Sequence, residues 1–243
     1  MATRAKNKKT AVQASIKRGY PDLHDHIEAL RKAKVLIEVA VPINKDTEMH
    51  PLVRWQFRGG IPEAARRAFL FTNVTDGRGR KYDIPVIVGA LATNIEIYGI
   101  GMGVAPAEIG ATWERAIANP ITPIKVANAP CQDVVIQGKA LDASGLDSLP
   151  IPISTPGFDV APYLTAGNWI TKDPETGVQN MGTYRGCLRG PRRLGVFMAQ
   201  FTPAGGLAHW HKWRARGERM PCAVVLGCPP AIAYVGPQKL PQG

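Results

Sequence analysis

The sequence predicts an α+β protein: a basic flexible tail over residues 1–20, an α/β unit over residues 21–120, and a mainly β unit over residues 121–243. Three observations lead there. Helical and extended patterns alternate up to residue 120, as they do where helices cover a sheet. Beyond Ile121 the alternation stops, prolines recur at 120, 123, 130, 150, 152, 156 and 162, and short apolar runs replace helical periods. The 243 residues are 45% hydrophobic, enough to bury a sizeable core.

The first helix is read from "YPDLHDHIEALRKA". Pro21-Asp22 is a start signal, Leu23, Ile27 and Leu30 recur at helical spacing, and Arg31, Lys32 and Lys34 stand where the helix dipole favours cations. "KVLIEVAVPI" has the length and composition of a strand, and "MHPLVRWQFRGG" reads as a helix stopped by Gly59-Gly60. "RRAFLFTNVTDGRGRKYDIPVIVGAL" reads as two strands around a turn built on Asp76-Gly77. In "APAEIGATWERAIANP", Pro106 suits a first helical turn, while Ile109, Trp113 and Ile117 recur on one face. Further on, "CQDVVIQG", "NWITKDP", "VQNMGTYRGCL", "LGVFMAQF" and "CAVVLG" are expected strands, with "TKDPETGV" turning between two of them. One helix interrupts, "GGLAHWHKWRARGE", with Leu207, Trp210 and Trp213 on one side.

Charge excludes less than it first suggests. Of the net +11, Arg4, Lys6, Lys8, Lys9, Lys17 and Arg18 supply six in the acid-free tail, leaving +5 for the rest. The tail lacks a core-forming period and reads as a solvated segment. A second basic cluster, Arg185, Arg189, Arg192, Arg193, Lys212, Arg214, Arg216 and Arg219, contains only Glu218 as an acid. Such a cluster suits a phosphorylated or carboxylated small molecule; the aromatic platforms of single-strand nucleic-acid binders are sparse, and no nucleic-acid partner is expected. No apolar run reaches the roughly 18 residues of a membrane span. Cys131, Cys187, Cys222 and Cys228 form no C-x-x-C pair, and reduced thiols in a cytoplasmic protein are expected.

Two motifs are discounted. Gly99, Gly101 and Gly103 in "GIGMG" suggest a dinucleotide loop, but the third glycine of that fingerprint falls on Val104, so a flexible loop before the Pro106 helix is the expectation. His209 and His211 point about 200° apart on a helix and cannot share one metal; they are read as partly exposed, and His24 and His26 meet the same objection.

The stretch "GVQNMGTYRGCLRG", residues 177–190, carries more. In an extended chain Asn180, Gly182 and Tyr184 face one way and Met181, Thr183 and Arg185 the other, so Asn180 and Arg185 share a face only if the strand kinks. Roughly 16 Å would separate them by strand rise, which suits a long ligand. Gly182 would let a flat ligand approach the backbone.

"VQNMGTYR", followed by "GVFMAQFTPAGG", a helix containing "HKW" and "GERMPCAVVLGCPPA", resembles the UbiD family of decarboxylases that use prenylated flavin mononucleotide. "DLHDHIEALRKAKVLIEVAVPI" and "FLFTNVTDGRGRKYDIPVIVGAL" resemble that family's earlier segments, in the same order, from about Asp22 to Gly243. The resemblance implies that residues 121–243 form the first part of a flavin-binding split β-barrel. It implies that Asn180 binds a divalent metal, usually manganese with potassium as a further cation, bridging to the flavin phosphate. Thr183, Tyr184, Arg185, Ala199, Gln200, Phe201, Ala204 and Gly205 would contact the cofactor, with Arg185 also beside the substrate carboxylate. Gly205 stands where some members carry a metal-binding His.

The chemistry implied is reversible decarboxylation of an aromatic or α,β-unsaturated acid: the substrate bonds to the modified flavin, the carboxylate leaves as carbon dioxide, and a carboxylic acid reprotonates the carbon. A flavin prenyltransferase would supply the cofactor. The family's metal-binding Glu and acid-base carboxylates match nothing in this sequence, which corresponds to about the first half of such a protein. Two roles are therefore expected: a subunit or N-terminal part of an active decarboxylase, or a non-catalytic structural subunit, in either case within a homo- or hetero-oligomer of UbiD-like chains.

Overall fold

The computed structural model describes residues 19–199 and 204–240, so the basic stretch 1–18, Gln200 and Phe201 lie outside the described residues. Helix α1 (Leu23–Lys32) starts where the Asp22 carboxylate accepts the Asp25 N–H at 3.0 Å. Its buried side chains are His26 and Leu30, whereas Leu23 and Ile27 are half-buried. The inward face is thus rotated from the expected one, because the His26 ring bonds through Nε2 to the Ala90 carbonyl at 2.8 Å.

Strand β1 (Leu36–Val39) lies parallel to β3 (Ala68–Phe71), which pairs antiparallel with β6 (Val86–Val88). A smaller sheet joins β2 (Ile43–Asn44), β4 (Val74–Thr75) and β5 (Lys81–Tyr82). The expected pair of strands around Asp76-Gly77 is therefore four short ones, and the Asp76 carboxylate closes the β4–β5 turn by accepting the Arg78 and Arg80 N–H groups. Leu30, Val35, Ala68, Ala90 and Ile97 form one buried cluster. Ile43, Met49, Val53, Phe71 and Val74 form another, in which helix α2 (Met49–Arg58) packs against the sheets and stops, as expected, at Gly59.

"GIGMG" lies within helix α3 (Ile95–Met102) and its cap, not in a loop. Gly103 ends the helix at φ 68°, and a β-carbon on Gly101 would overlap the hydroxyl of Tyr234, which donates to the Leu91 carbonyl at 2.7 Å. Gly99 and Gly101 thus serve close packing, and Gly103 the helix end. Gly101→Ala is expected to destabilise the fold by about 2 kcal/mol through overpacking, read from urea unfolding. Helix α4 (Ile109–Ala118) follows a 3₁₀ turn at Pro106–Glu108.

Residues 119–140 depart from expectation. "CQDVVIQG" forms no strand: a 3₁₀ turn at Pro130–Gln132 precedes Val134, Val135 and Ile136, which are exposed, and a second follows at Gly138–Ala140. No described strand lies alongside to pair this segment, and without a partner an apolar run does not make a strand. A single turn of helix, α5 (Leu141–Ser144), comes next.

The later residues build two three-stranded antiparallel sheets. One orders β12 (Cys222–Val225), β8 (Asn168–Lys172) and β9 (Gln179–Thr183); the other orders β11 (Leu194–Val196), β10 (Gly186–Leu188) and β7 (Tyr163–Leu164). Helix α6 (Gly205–Ala215) packs on β8 and β9. It buries Gly206 and His209 and leaves Trp210 exposed, against the expected Leu207–Trp210 face. Helix α7 (Pro230–Val235) was not anticipated, although Pro230 suits its first turn. No helix among the described residues is long and apolar enough to cross a membrane.

Candidate functional site

The stretch expected as one strand breaks after Thr183. β9 pairs with β8, whereas β10, starting at Gly186, pairs with β7 and β11 in the other sheet. The intervening Tyr184 and Arg185 sit at the join, where the Trp169 indole N–H donates to the Tyr184 carbonyl at 2.9 Å and fixes the bend. The chain therefore bends between Asn180 and Arg185, which is the condition that alternation set for the two to share a face. Gly182, however, faces its own chain: the Tyr184 ring folds back over it, so that a β-carbon there would lie 2.5 Å from the ring. The flat group against Gly182 is that ring, not a ligand.

Helix α6 is tied across β8 and β9. Its buried His209 meets the Thr171 hydroxyl at 2.9 Å, the Trp213 indole donates to the Lys172 carbonyl at 2.8 Å, and Lys212 pairs with Asp173 at 2.7 Å. The Lys212 ammonium, with the Glu175 and Thr176 N–H groups, draws the Asp173 carboxyl down to about 2. These ties aim the N-terminus of α6 at the join, where the Gly206 N–H donates to the Tyr184 hydroxyl at 3.2 Å. Asn180 lies under the same terminus: its Oδ1 occupies the space of a β-carbon on Gly205, and its Nδ2 is buried without a hydrogen-bond partner among the described residues.

Between the join, the β10–β11 hairpin and this terminus runs a groove of roughly 650 Å³. Thr183, Tyr184, Arg185, Ala199 and Ala204 line it, together with Tyr163, Cys187, Arg189, Gly195, Val196 and Phe197. Arg185 is held on two sides: Nη2 donates to Asp159 Oδ2 at 2.8 Å, and the guanidinium lies 4.2 Å from the Tyr163 ring centroid. The Cys187 thiol beside the Tyr163 hydroxyl, with some burial, raises that phenol above its ordinary value. A helix N-terminus and cations beside one groove suit an anionic ligand.

Residues 123–243 match a family model described as UbiD, 3-octaprenyl-4-hydroxybenzoate carboxy-lyase Rift-related domain. The structure is similar to that of HmfF from Pelotomaculum thermopropionicum, a UbiD-class enzyme solved in complex with FMN. The identity is 27% and the TM-score 0.71, over 86% of this chain and 43% of that one. Residues 123–243 form a UbiD-family domain. An evolved dimeric HmfF in complex with prFMN gives 25% identity and a TM-score of 0.73, over 87% of this chain and 45% of that one. The apo 3,4-dihydroxybenzoic acid decarboxylase of Enterobacter cloacae gives 25% and 0.76, over 93% and 46%. The chain thus spans less than half the length of these UbiD-class structures, and its mixed α+β architecture is that of their fold.

The groove has room for a flavin, since small-molecule sites run from about 300 to 1,000 Å³. Asn180 and Gly205 stand beside the lining, at the α6 terminus, with the orphaned Asn180 amide available to a ligand there. A complete metal site is not assembled: among the described residues no three His, Cys, Asp or Glu side chains gather. Sequence reasoning missed Asp159, on a proline-rich loop without motif, and Tyr163, which opens the two-residue strand β7 just after that loop. Cys187 and Arg189 were missed as lining residues too, although their alternation with Arg185 is a signal that could have found them.

Proposed function

We propose that the chain is part of a UbiD-type carboxy-lyase that binds prenylated flavin mononucleotide and acts reversibly on an aromatic or α,β-unsaturated carboxylic acid. The observation that carries this reading is the groove at the β9–β10 join, lined by Thr183, Tyr184, Arg185, Ala199 and Ala204. Beside it Asn180 and the N-terminus of α6 would receive the flavin phosphate, and Asn180 would give manganese one oxygen ligand. Arg185 would orient the substrate carboxylate through its remaining donors. The flavin, when bound, supplies the electron sink for loss of carbon dioxide.

No Asp or Glu lines the groove among the described residues. The general acid that reprotonates carbon would therefore come from the portion of a UbiD-type protein that the chain does not span, whichever polypeptide carries it. Ile121, Ile124, Val126, Val134 and Phe197 are each more than 60% exposed, which suits a surface covered by a further UbiD-like portion or subunit. The same absence of a lining acid favours the second reading, a non-catalytic subunit. We further propose a division near residue 120, a flavin prenyltransferase as cofactor supplier, and a cytoplasmic setting, in keeping with four free cysteines.

Mixing the chain with the complementary portion of a UbiD-class enzyme and prenylated flavin is expected to give exchange of labelled bicarbonate into an aromatic acid. Stoichiometric assembly with bound flavin but no exchange across a panel of acids would favour the structural reading.

A further inference from the structure

We infer that Asp159 is a positioning residue for Arg185, holding one corner of its guanidinium so that an adjoining edge presents a fork to a carboxylate. The inference deepens the proposed function and rests on it. Asp159 is the inner partner: its side chain is 9% exposed, against 49% for Arg185. A carboxylate so withdrawn from water needs a fixed cation and hydrogen bonds. It has both, because Oδ2 accepts the Arg185 Nη2 at 2.8 Å and the Thr155 N–H at 2.9 Å.

The loop bearing Asp159 is itself held from outside. Arg54 on α2 donates to the Thr155 hydroxyl at 3.2 Å and the Ser154 carbonyl at 3.4 Å. On the Arg185 side, the Tyr163 ring covers one face of the guanidinium at 4.2 Å. Only one Nη2 hydrogen is engaged among the described residues, so the second remains to act with the neighbouring N–H of Nε or Nη1 as the parallel pair of donors that a planar carboxylate accepts. A lone exposed pair would stabilise the fold little. Its effect here is on direction: an arginine fixed at one corner and one face loses less freedom when the second carboxylate arrives.

The test is the guanidinium nitrogen spectrum of the isotopically labelled chain, with the Arg185 signals assigned by their loss in Arg185→Lys. Restricted, separately resolved Arg185 Nη signals are expected in the wild type, averaged signals in Asp159→Asn, and restriction regained in Asp159→Glu. Free rotation in the wild type, or restriction unchanged in Asp159→Asn, would overturn the inference; the wild-type measurement stands even if Asp159→Asn does not fold. With benzoate as probe and flavin mononucleotide present, Asp159→Asn should weaken binding about tenfold, with benzamide unaffected. Wild-type protein that shows a restricted Arg185 but no benzoate binding would contradict the carboxylate-site reading and leave the geometry standing.

Discussion

Gly205→Ala is expected to lower flavin mononucleotide affinity by about tenfold to a hundredfold. A β-carbon at this position would overlap Asn180 Oδ1 and come within 2.5 Å of its Cγ, so the amide must leave its place under the α6 N-terminus. Asn180 projects from β9 directly opposite Thr171, whose side chain is engaged with His209, so the strand cannot easily shift to relieve the overlap. The displacement falls on the end of the groove assigned to the phosphate. Titration with flavin mononucleotide, compared with riboflavin, separates the effect: riboflavin lacks the phosphate and should lose much less. Equal affinity of wild type and Gly205→Ala for the phosphorylated flavin would remove Asn180 and this terminus from the site.

The second large effect is acid destabilisation that begins near neutrality. Burial lowers the imidazole pKa of His26, His50 and His209. The Ala90 carbonyl partly offsets it at His26, Arg54 adds to it at His50 while Asp159 opposes it, and at His209 Asp173 opposes and Lys212 adds. A folded-state value below the unfolded one means that the unfolded chain takes up protons first, so stability falls as pH drops below about 6.5. Each histidine contributes a slope of up to about 1.4 kcal/mol per pH unit, so the three together reach at most about 4. Asp173 acts in a different window: its depressed pKa keeps its contribution intact above roughly pH 4, and it is lost only as pH falls toward about 2. Urea midpoints between about pH 8 and pH 5 should fall steadily, and His26→Gln should flatten the curve. A flat profile over that range would show that these rings protonate freely in the fold.

Much of the fold was legible because local signals and tertiary demands agree. Asp22 caps α1, Gly59 stops α2, and "TKDPETGV" turns between β8 and β9 because Asp173 accepts the Glu175 and Thr176 N–H groups. Where they disagree, pattern misleads. Val134–Ile136 carry strand composition but have no neighbouring strand, and His209 is buried because Thr171 offers its ring nitrogen a partner. The α1 face turned toward His26 for the same reason: a polar ring with a buried acceptor displaced the expected apolar stripe.

The site was legible in part. Alternation along residues 177–190 showed that Asn180 and Arg185 could share a face only across a kink, but not where a kink would lie, since that depends on the indole of Trp169 reaching Tyr184 from another strand. Asp159 carried no signal at all. It is one acid in a proline-rich loop, and its partner lies 26 residues further along the chain. Pairings of this kind are set by tertiary packing, which a single sequence does not display.

The central claim is that the groove at the β9–β10 join is the flavin site. Titrating flavin mononucleotide into the isotopically labelled chain and following backbone amide shifts tests it most directly. Saturable shifts should concentrate at Thr183, Arg185, Gly205 and Gly206. No saturable shift, or shifts gathered instead at the second groove beside Tyr20, Lys32, Glu96 and Gly103, would contradict it.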